Sequence, residues 1–205
     1  MNLYKSDGTL CEYLYKNNIC ACNMGLVVSK WLEELTAKFY KPTQILILGL
    51  DNAGKTQTLY CMKLGESISN TIPTLGFNLE EIKYKHLTFR AWDIGGQTKF
   101  RQMWHHYYET ADAVIFVLDS ADRNRFKEAK NELDALLNQE HLKDKPFLVF
   151  ANKQDLPCAA ELTEIKKALQ WNRWEHRDKI HMLACTAIEN QRIQAGLEWL
   201  SSVVY

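Results

Sequence analysis

Eight residues constrain this chain more than any others: Gly49-Leu50-Asp51-Asn52-Ala53-Gly54-Lys55-Thr56. They fit G-x-x-x-x-G-K-[ST], a phosphate-binding loop that works only between a buried strand and the start of a helix. The flanks supply that context. Ile45-Leu-Ile-Leu48 is a short apolar run of the kind buried on both faces of a parallel sheet, and a helical stretch follows through Leu64. The glycines let the backbone curl so that its N–H groups face a phosphate, and the helix N-terminus adds positive potential. Lys55 is expected on the β- and γ-phosphates and the Thr56 hydroxyl on Mg²⁺.

The rest of the pattern alternates strands with helices. Phe77–Tyr84 and Leu87–Asp93 stand two residues apart and read as a hairpin, because Leu87, Phe89 and Ala91 alternate with Thr88, Arg90 and Trp92. Ala113–Leu118 and Phe147–Phe150 read as buried strands, with Phe126, Ala129, Leu133 and Leu136 marking a helix between them. Ile180–Cys185 reads as the last strand and Ala195–Val204 as the last helix. The fold class is α/β, a doubly wound and mostly parallel sheet flanked by helices. Upstream, Val28, Trp31, Leu32, Leu35 and Phe39 recur at helical spacing among charged residues, predicting an amphipathic helix over 25–40 that ends before Pro42. Residues 1–23 show no periodicity, and the third segment spans 43–205.

Composition excludes several classes. Lys+Arg and Asp+Glu are equal at 25 each, so no global field steers the chain onto nucleic acid. The six cysteines have no framework or zinc spacing, as expected of reduced thiols in a cytoplasmic protein. The longest apolar stretch, Ala113–Leu118, is too short to span a bilayer. Residues 1–23 lack the apolar core of a secretory signal.

Two more motifs sit where open α/β sheets bind ligands, at the C-terminal ends of strands. Asn152-Lys153-Gln154-Asp155 follows Phe147–Ala151, about 100 residues after the phosphate loop. A carboxylate such as Asp155 can accept from both N1–H and the exocyclic amine of guanine, whereas adenine offers an acceptor at N1 and no amine at C2. Asp93-Ile-Gly-Gly96-Gln97 ends a strand. Asp93 can hold Mg²⁺ through water, Gly96 can offer an N–H to a γ-phosphate and Gln97 can orient an attacking water. Thr186-Ala187 after the last strand would bring a backbone N–H near guanine O6.

Gly49–Thr56, Ile72-Pro-Thr-Leu-Gly-Phe-Asn78, Trp92-Asp-Ile-Gly-Gly-Gln97 and Asn152-Lys-Gln-Asp155, in that order, resemble the small GTPases, and in detail the ADP-ribosylation-factor and Arf-like branch. The resemblance covers about residues 25–204. It implies a Ras-like fold of six strands, one of them antiparallel, and slow GTP hydrolysis in a monomeric switch cycling between GTP and GDP with Mg²⁺. It assigns Thr74 to Mg²⁺ and the γ-phosphate, and it implies effector recognition through Phe77, Trp92 and Tyr107. An exchange factor and a GTPase-activating protein are implied as partners, with no nucleic acid. No arginine stands in a motif that marks it as a built-in finger, so a partner is expected to supply one. His105-His106 reads as part of the second-switch helix.

The resemblance also carries departures. Gln57 replaces the threonine of many relatives, where the backbone N–H serves the α-phosphate, and Ile188 replaces a polar residue beside the guanine loop. Here 23 residues precede the point where relatives begin. Met24-Gly25-Leu-Val-Val-Ser29 fits the N-myristoylation pattern M-G-x-x-x-[ST] if translation starts at Met24. Residues 1–23 are then an upstream extension; otherwise they are a real segment, with Cys20 and Cys22 as candidate palmitoylation sites. Myristate alone binds membrane marginally, so the apolar face of the helix would be the second anchor. The implied setting is cytoplasmic with reversible membrane association, the Golgi being one such surface, and a role in vesicle traffic. A P-loop kinase would need a second substrate site and an arginine-rich lid, for which the chain has no insertion. A scaffold without hydrolysis would have little use for Gln97 and Thr74.

Overall fold

Three strand sequences are apolar enough to be buried on both faces, and they form the centre of the sheet. The computed structural model describes residues 42–65, 77–84 and 87–204. The candidates Gly25 and Thr74, the helix over 25–40 and residues 1–23 lie outside the described residues. The strands are β1 (Thr43–Leu48), β2 (Phe77–Tyr84), β3 (Leu87–Ile94), β4 (Ala113–Asp119), β5 (Phe147–Asn152) and β6 (Ile180–Ala184). They lie in the order β2-β3-β1-β4-β5-β6. Only the β2–β3 pair is antiparallel, the hairpin predicted from the alternation, so the sheet has the six strands and single antiparallel edge expected of it.

The helices are α1 (Lys55–Leu64), α2 (Thr98–Arg101), α3 (His105–Tyr108), α4 (Phe126–Leu137), α5 (Leu162–Ala168) and α6 (Asn190–Val204). Alternate strand residues feed two cores. Leu46, Leu48, Val114, Phe116 and Val149 pack with Trp104 and with Phe126, Ala129, Leu133 and Leu136 of α4. Ile45, Ile47, Ile115, Val117 and Phe150 pack with Leu59 and Met62 of α1 and with Ile193, Leu197 and Leu200 of α6. Each fully buried Val, Leu, Ile, Phe or Met side chain among them contributes about 1.5–3 kcal/mol. The sheet is thus covered on both faces, and the chain must turn at the strand ends, where the motifs stand. Among the described residues no helix is long and apolar enough to cross a membrane.

Three elements differ from the sequence reading. Helix α5 had no counterpart in it, because its seven residues bury a single side chain, Ile165, too little to make a period. Helix α6 begins at Asn190 and not at Ala195; its first turn, Asn-Gln-Arg, is polar, and only Ile193 reaches the core there. The second-switch helix is two short helical turns, α2 and α3, with His105 and His106 opening the second.

Candidate nucleotide-binding site

The phosphate loop leaves β1 at Leu48 and enters α1 at Lys55. Gly54 stands at the helix N-terminus with φ 92°, a left-handed conformation that side chains rarely adopt. A Cβ there would also lie 2.3 Å from Asn152 Nδ2. Leu50 and Ala53 are buried, Asn52 is exposed with φ 61°, and Gln57 is half-buried in the first turn of α1. Lys55 is buried, and its Nζ donates to the Leu50 carbonyl at 2.8 Å, spanning the loop. Burial pushes its pKa down to about 8, against the attraction of Asp93 and Asp51, while Arg101 and Arg125 depress it further.

Thr56 Oγ1 donates to Asp93 Oδ2 at 2.5 Å. Asp93 is fully buried one residue before the end of β3, and Thr56 is the second residue of α1, so the two side chains meet at one point beside the loop. A hydroxyl and a carboxylate side by side are hard oxygen donors of the kind Mg²⁺ takes, and they fit that ion. Gly95 and Gly96 are buried, and Gln97 is half-buried at the cap of α2.

The second half of the site follows β5. Asn152, 1% exposed, donates Nδ2 to the Ala53 carbonyl at 2.9 Å and accepts from the Ala187 N–H at 2.9 Å through Oδ1. One side chain thereby fastens the phosphate loop to the turn after β6. Lys153 takes φ 66°, a strained value of about 1 kcal/mol or more for a non-glycine residue, and its Nζ pairs with Asp119 Oδ2 at 2.7 Å. Asp155 is exposed, with its Oδ1 accepting the Thr186 hydroxyl at 2.6 Å. Ile188 is 55% exposed, so it does not wall the turn off from solvent.

The structure therefore brings together Gly49–Thr56, Asp93 and Gly96 on one side and Asn152, Lys153, Asp155 and Ala187 on the other. It also adds residues that sequence reasoning passed over. Asp119, the last residue of β4, and Ser120, which follows it, hold Lys153 and Gln154, the latter through Gln154 Nε2 to Ser120 Oγ at 2.8 Å. Their position at a strand's C-terminal end was the available signal. Arg101 and Arg125 both approach Asp51 of the phosphate loop, at 3.7 and 3.2 Å. Nothing in their sequence surroundings marks them.

Beside the hairpin, Phe77, Trp92 and Tyr107 form a contiguous aromatic cluster with ring centroids 5.1–6.1 Å apart. Phe77 is 51% exposed, and Leu79, the cross-strand partner of Trp92, is exposed as well. Trp92 Nε1 donates to Gln44 Oε1, which anchors the cluster to β1.

Comparison with known proteins bears on this arrangement. The model of the ADP-ribosylation factor family matches residues 28–204. Among solved structures, the chain is similar to the Arl6 BBS3 small GTPase from Trypanosoma brucei with a bound nucleotide analogue, GppNp. The two share 31% identity at a TM-score of 0.73, over 80% of this chain and 98% of that one.

Proposed function

The chain belongs to the ADP-ribosylation factor family, and we propose that it is a switch that carries its guanine-nucleotide state to a membrane surface. As a small GTPase of that family it binds guanine nucleotide, hydrolyses GTP and works with exchange factors, activating proteins and effectors. The residues of this chain divide that work. Asp155 accepts from the guanine N1–H and amine, with the Thr186 hydroxyl on Oδ1 fixing the carboxylate's orientation. Ala187 N–H, aimed by Asn152, faces the O6 side of the base. Lys55 gives up the Leu50 carbonyl for the β- and γ-phosphates. Thr56, Asp93 and Thr74 would hold Mg²⁺, which supplies charge neutralisation at the β- and γ-oxygens. Gln97 orients the attacking water, and the Gly96 N–H takes a γ-oxygen.

The observation that carries this reading is Asn152, whose two hydrogen bonds join the phosphate loop and the base turn into one rigid unit. What supports the membrane half is the amphipathic helix pattern of Val28, Trp31, Leu32, Leu35 and Phe39 and the acceptor pattern at Gly25. What supports the effector half is the aromatic cluster of Phe77, Trp92 and Tyr107, in which half-exposed Phe77 lies over the two partly buried rings.

One experiment tests both halves. Wild type and Gln97→Leu are loaded with GTP, incubated with an activating partner and mixed with phosphatidylcholine–phosphatidylserine vesicles. The variant is expected to keep its triphosphate and float with the vesicles, while the wild type converts to GDP and stays in solution. Hydrolysis by the variant at the wild-type rate would remove Gln97 from its role. Equal flotation in both nucleotide states would refute the membrane switch.

A further inference from the structure

The glycine turn after β3 is held from two directions. On one side it lies directly on the phosphate loop: a Cβ on Gly96 would fall 2.4 Å from Leu50 C and 2.5 Å from both Asp51 N and Gly49 O. On the other side, both of its carbonyls accept from side chains that follow it in sequence. Trp104 Nε1 donates to Gly95 O at 3.3 Å, and Arg101 Nε donates to Gly96 O at 2.7 Å. A trans peptide sets its N–H opposite its C=O. Fixing the Gly95 carbonyl therefore fixes the direction of the Gly96 N–H, and fixing the Gly96 carbonyl does the same for the Gln97 N–H.

Arg101 is itself anchored from elsewhere. Its side chain is only 9% exposed, and Nη1 lies 2.8 Å from Glu128 Oε1 and 2.9 Å from Glu132 Oε1, both on α4. Nη2 lies 3.7 Å from Asp51 Oδ1. A guanidinium can serve these acceptors at once because its five N–H groups form a rigid planar fork; a lysine ammonium cannot. Glu128 and Glu132 are 41% and 30% exposed, so solvent screens the ion pairs in part, and the buried end of the clamp is the guanidinium itself with its bond to the Gly96 carbonyl.

We infer that Arg101, clamped by Glu128 and Glu132 of α4 onto the Gly96 carbonyl, is a positioning residue that presets the glycine turn for the γ-phosphate. The inference rests on the GTPase reading above and adds to it a route from the phosphate site to α4. Only a triphosphate presents the oxygen that the Gly96 N–H reaches, so the clamp acts on GTP and leaves GDP largely alone.

The test is titration of N-methylanthraniloyl-GDP and of a non-hydrolysable N-methylanthraniloyl-GTP analogue, with magnesium, into wild type, Arg101→Ala, Arg101→Lys and the double variant Glu128→Gln/Glu132→Gln. Triphosphate affinity is expected to fall about tenfold in all three variants, the weight of one charge-assisted hydrogen bond, with diphosphate affinity within about twofold of wild type. Thermal unfolding of the GDP forms accompanies the titrations. Equal weakening of both nucleotides would make Arg101 merely structural and overturn the proposal, as would unchanged triphosphate affinity. Full rescue by lysine would overturn it too, by showing that charge suffices without the fork. Failure of the wild type to bind either nucleotide would instead bring down the GTPase reading on which the proposal stands.

Discussion

Replacing Asn152 by alanine should damage folding and nucleotide retention together. The side chain is buried and makes two bonds, Nδ2 to Ala53 O and Oδ1 to Ala187 N, each at 2.9 Å. The buried Ala187 N–H would lose its acceptor, at about 1–3 kcal/mol, and the Ala53 carbonyl would lose a donor, at about 0.5–1.5 kcal/mol. The sum is about 3 kcal/mol, which for a domain of this size lowers the melting temperature by roughly 6–12 °C. Because the lost bonds span the phosphate loop and the base turn, the two halves of the pocket are no longer held at a fixed spacing. Release of fluorescent GDP should accelerate by about an order of magnitude, on the scale of 1.4 kcal/mol per tenfold. Asn152→Asp separates the two bonds, since it keeps an acceptor for Ala187 and loses the donor to Ala53. Calorimetry of the GDP-bound proteins and stopped-flow release of N-methylanthraniloyl-GDP measure both effects. An alanine variant that melts within about 2 °C of wild type and releases GDP at the wild-type rate would refute the claim that Asn152 ties the site together.

Two further outcomes follow from the phosphate loop. Burial lowers Lys55 to about 8 in the nucleotide-free protein, below its ordinary 10.5, so the folded state sheds this proton before the unfolded state does. The penalty of burying the ammonium is therefore fully present below about pH 8, and stability should rise between pH 8 and 10.5. Denaturant unfolding of wild type against Lys55→Met should show the rise in the wild type alone, and parallel pH profiles would contradict it. Thr56→Asn removes the hydroxyl that meets Asp93 at 2.5 Å and should weaken GTP binding more than GDP binding. It should also abolish the magnesium dependence of nucleotide affinity, and an unchanged magnesium titration would count against the assignment of the ion to this pair.

The parts of the site that were legible in sequence are those where chemistry dictates backbone. A phosphate cradle needs glycine at Gly54 because the helix must begin from a left-handed residue. Strands buried on both faces must be continuously apolar, which made β1, β4 and β5 visible and placed Asn152 at a strand end, while the alternation of the hairpin placed Asp93 at the end of its second strand. Helix α4 was legible for a related reason, since four buried residues recur at its period. Helix α5, with one buried residue, carries no such period. The Arg101 and Arg125 contacts were illegible for a different reason. They join polar residues far apart in sequence, 31 positions for Arg101–Glu132 and 74 for Arg125–Asp51, and polar pairing leaves no period behind. The aromatic residues Phe77, Trp92 and Tyr107 were named from family resemblance; their mutual contact depends on the hairpin register, which pairs Leu79 with Trp92, and on the turn that carries Tyr107 over it.

The central claim is that the pocket after β5 is built for guanine, and it stands on the Asp155 carboxylate. Guanine gives Asp155 two donors, N1–H and the 2-amine, whereas xanthine carries a carbonyl at C2. An asparagine can donate to that carbonyl and still accept from N1–H and from Thr186, whose hydroxyl now reaches Oδ1 at 2.6 Å. Competition of GTP and XTP for wild type and Asp155→Asn, read by displacement of a fluorescent nucleotide, tests this directly. Wild type is expected to prefer GTP by at least about a hundredfold, the discrimination of a pocket whose polar groups go unpaired with the wrong base, and the variant to prefer XTP. A variant that keeps the wild-type preference for GTP would contradict the assignment of base recognition to Asp155.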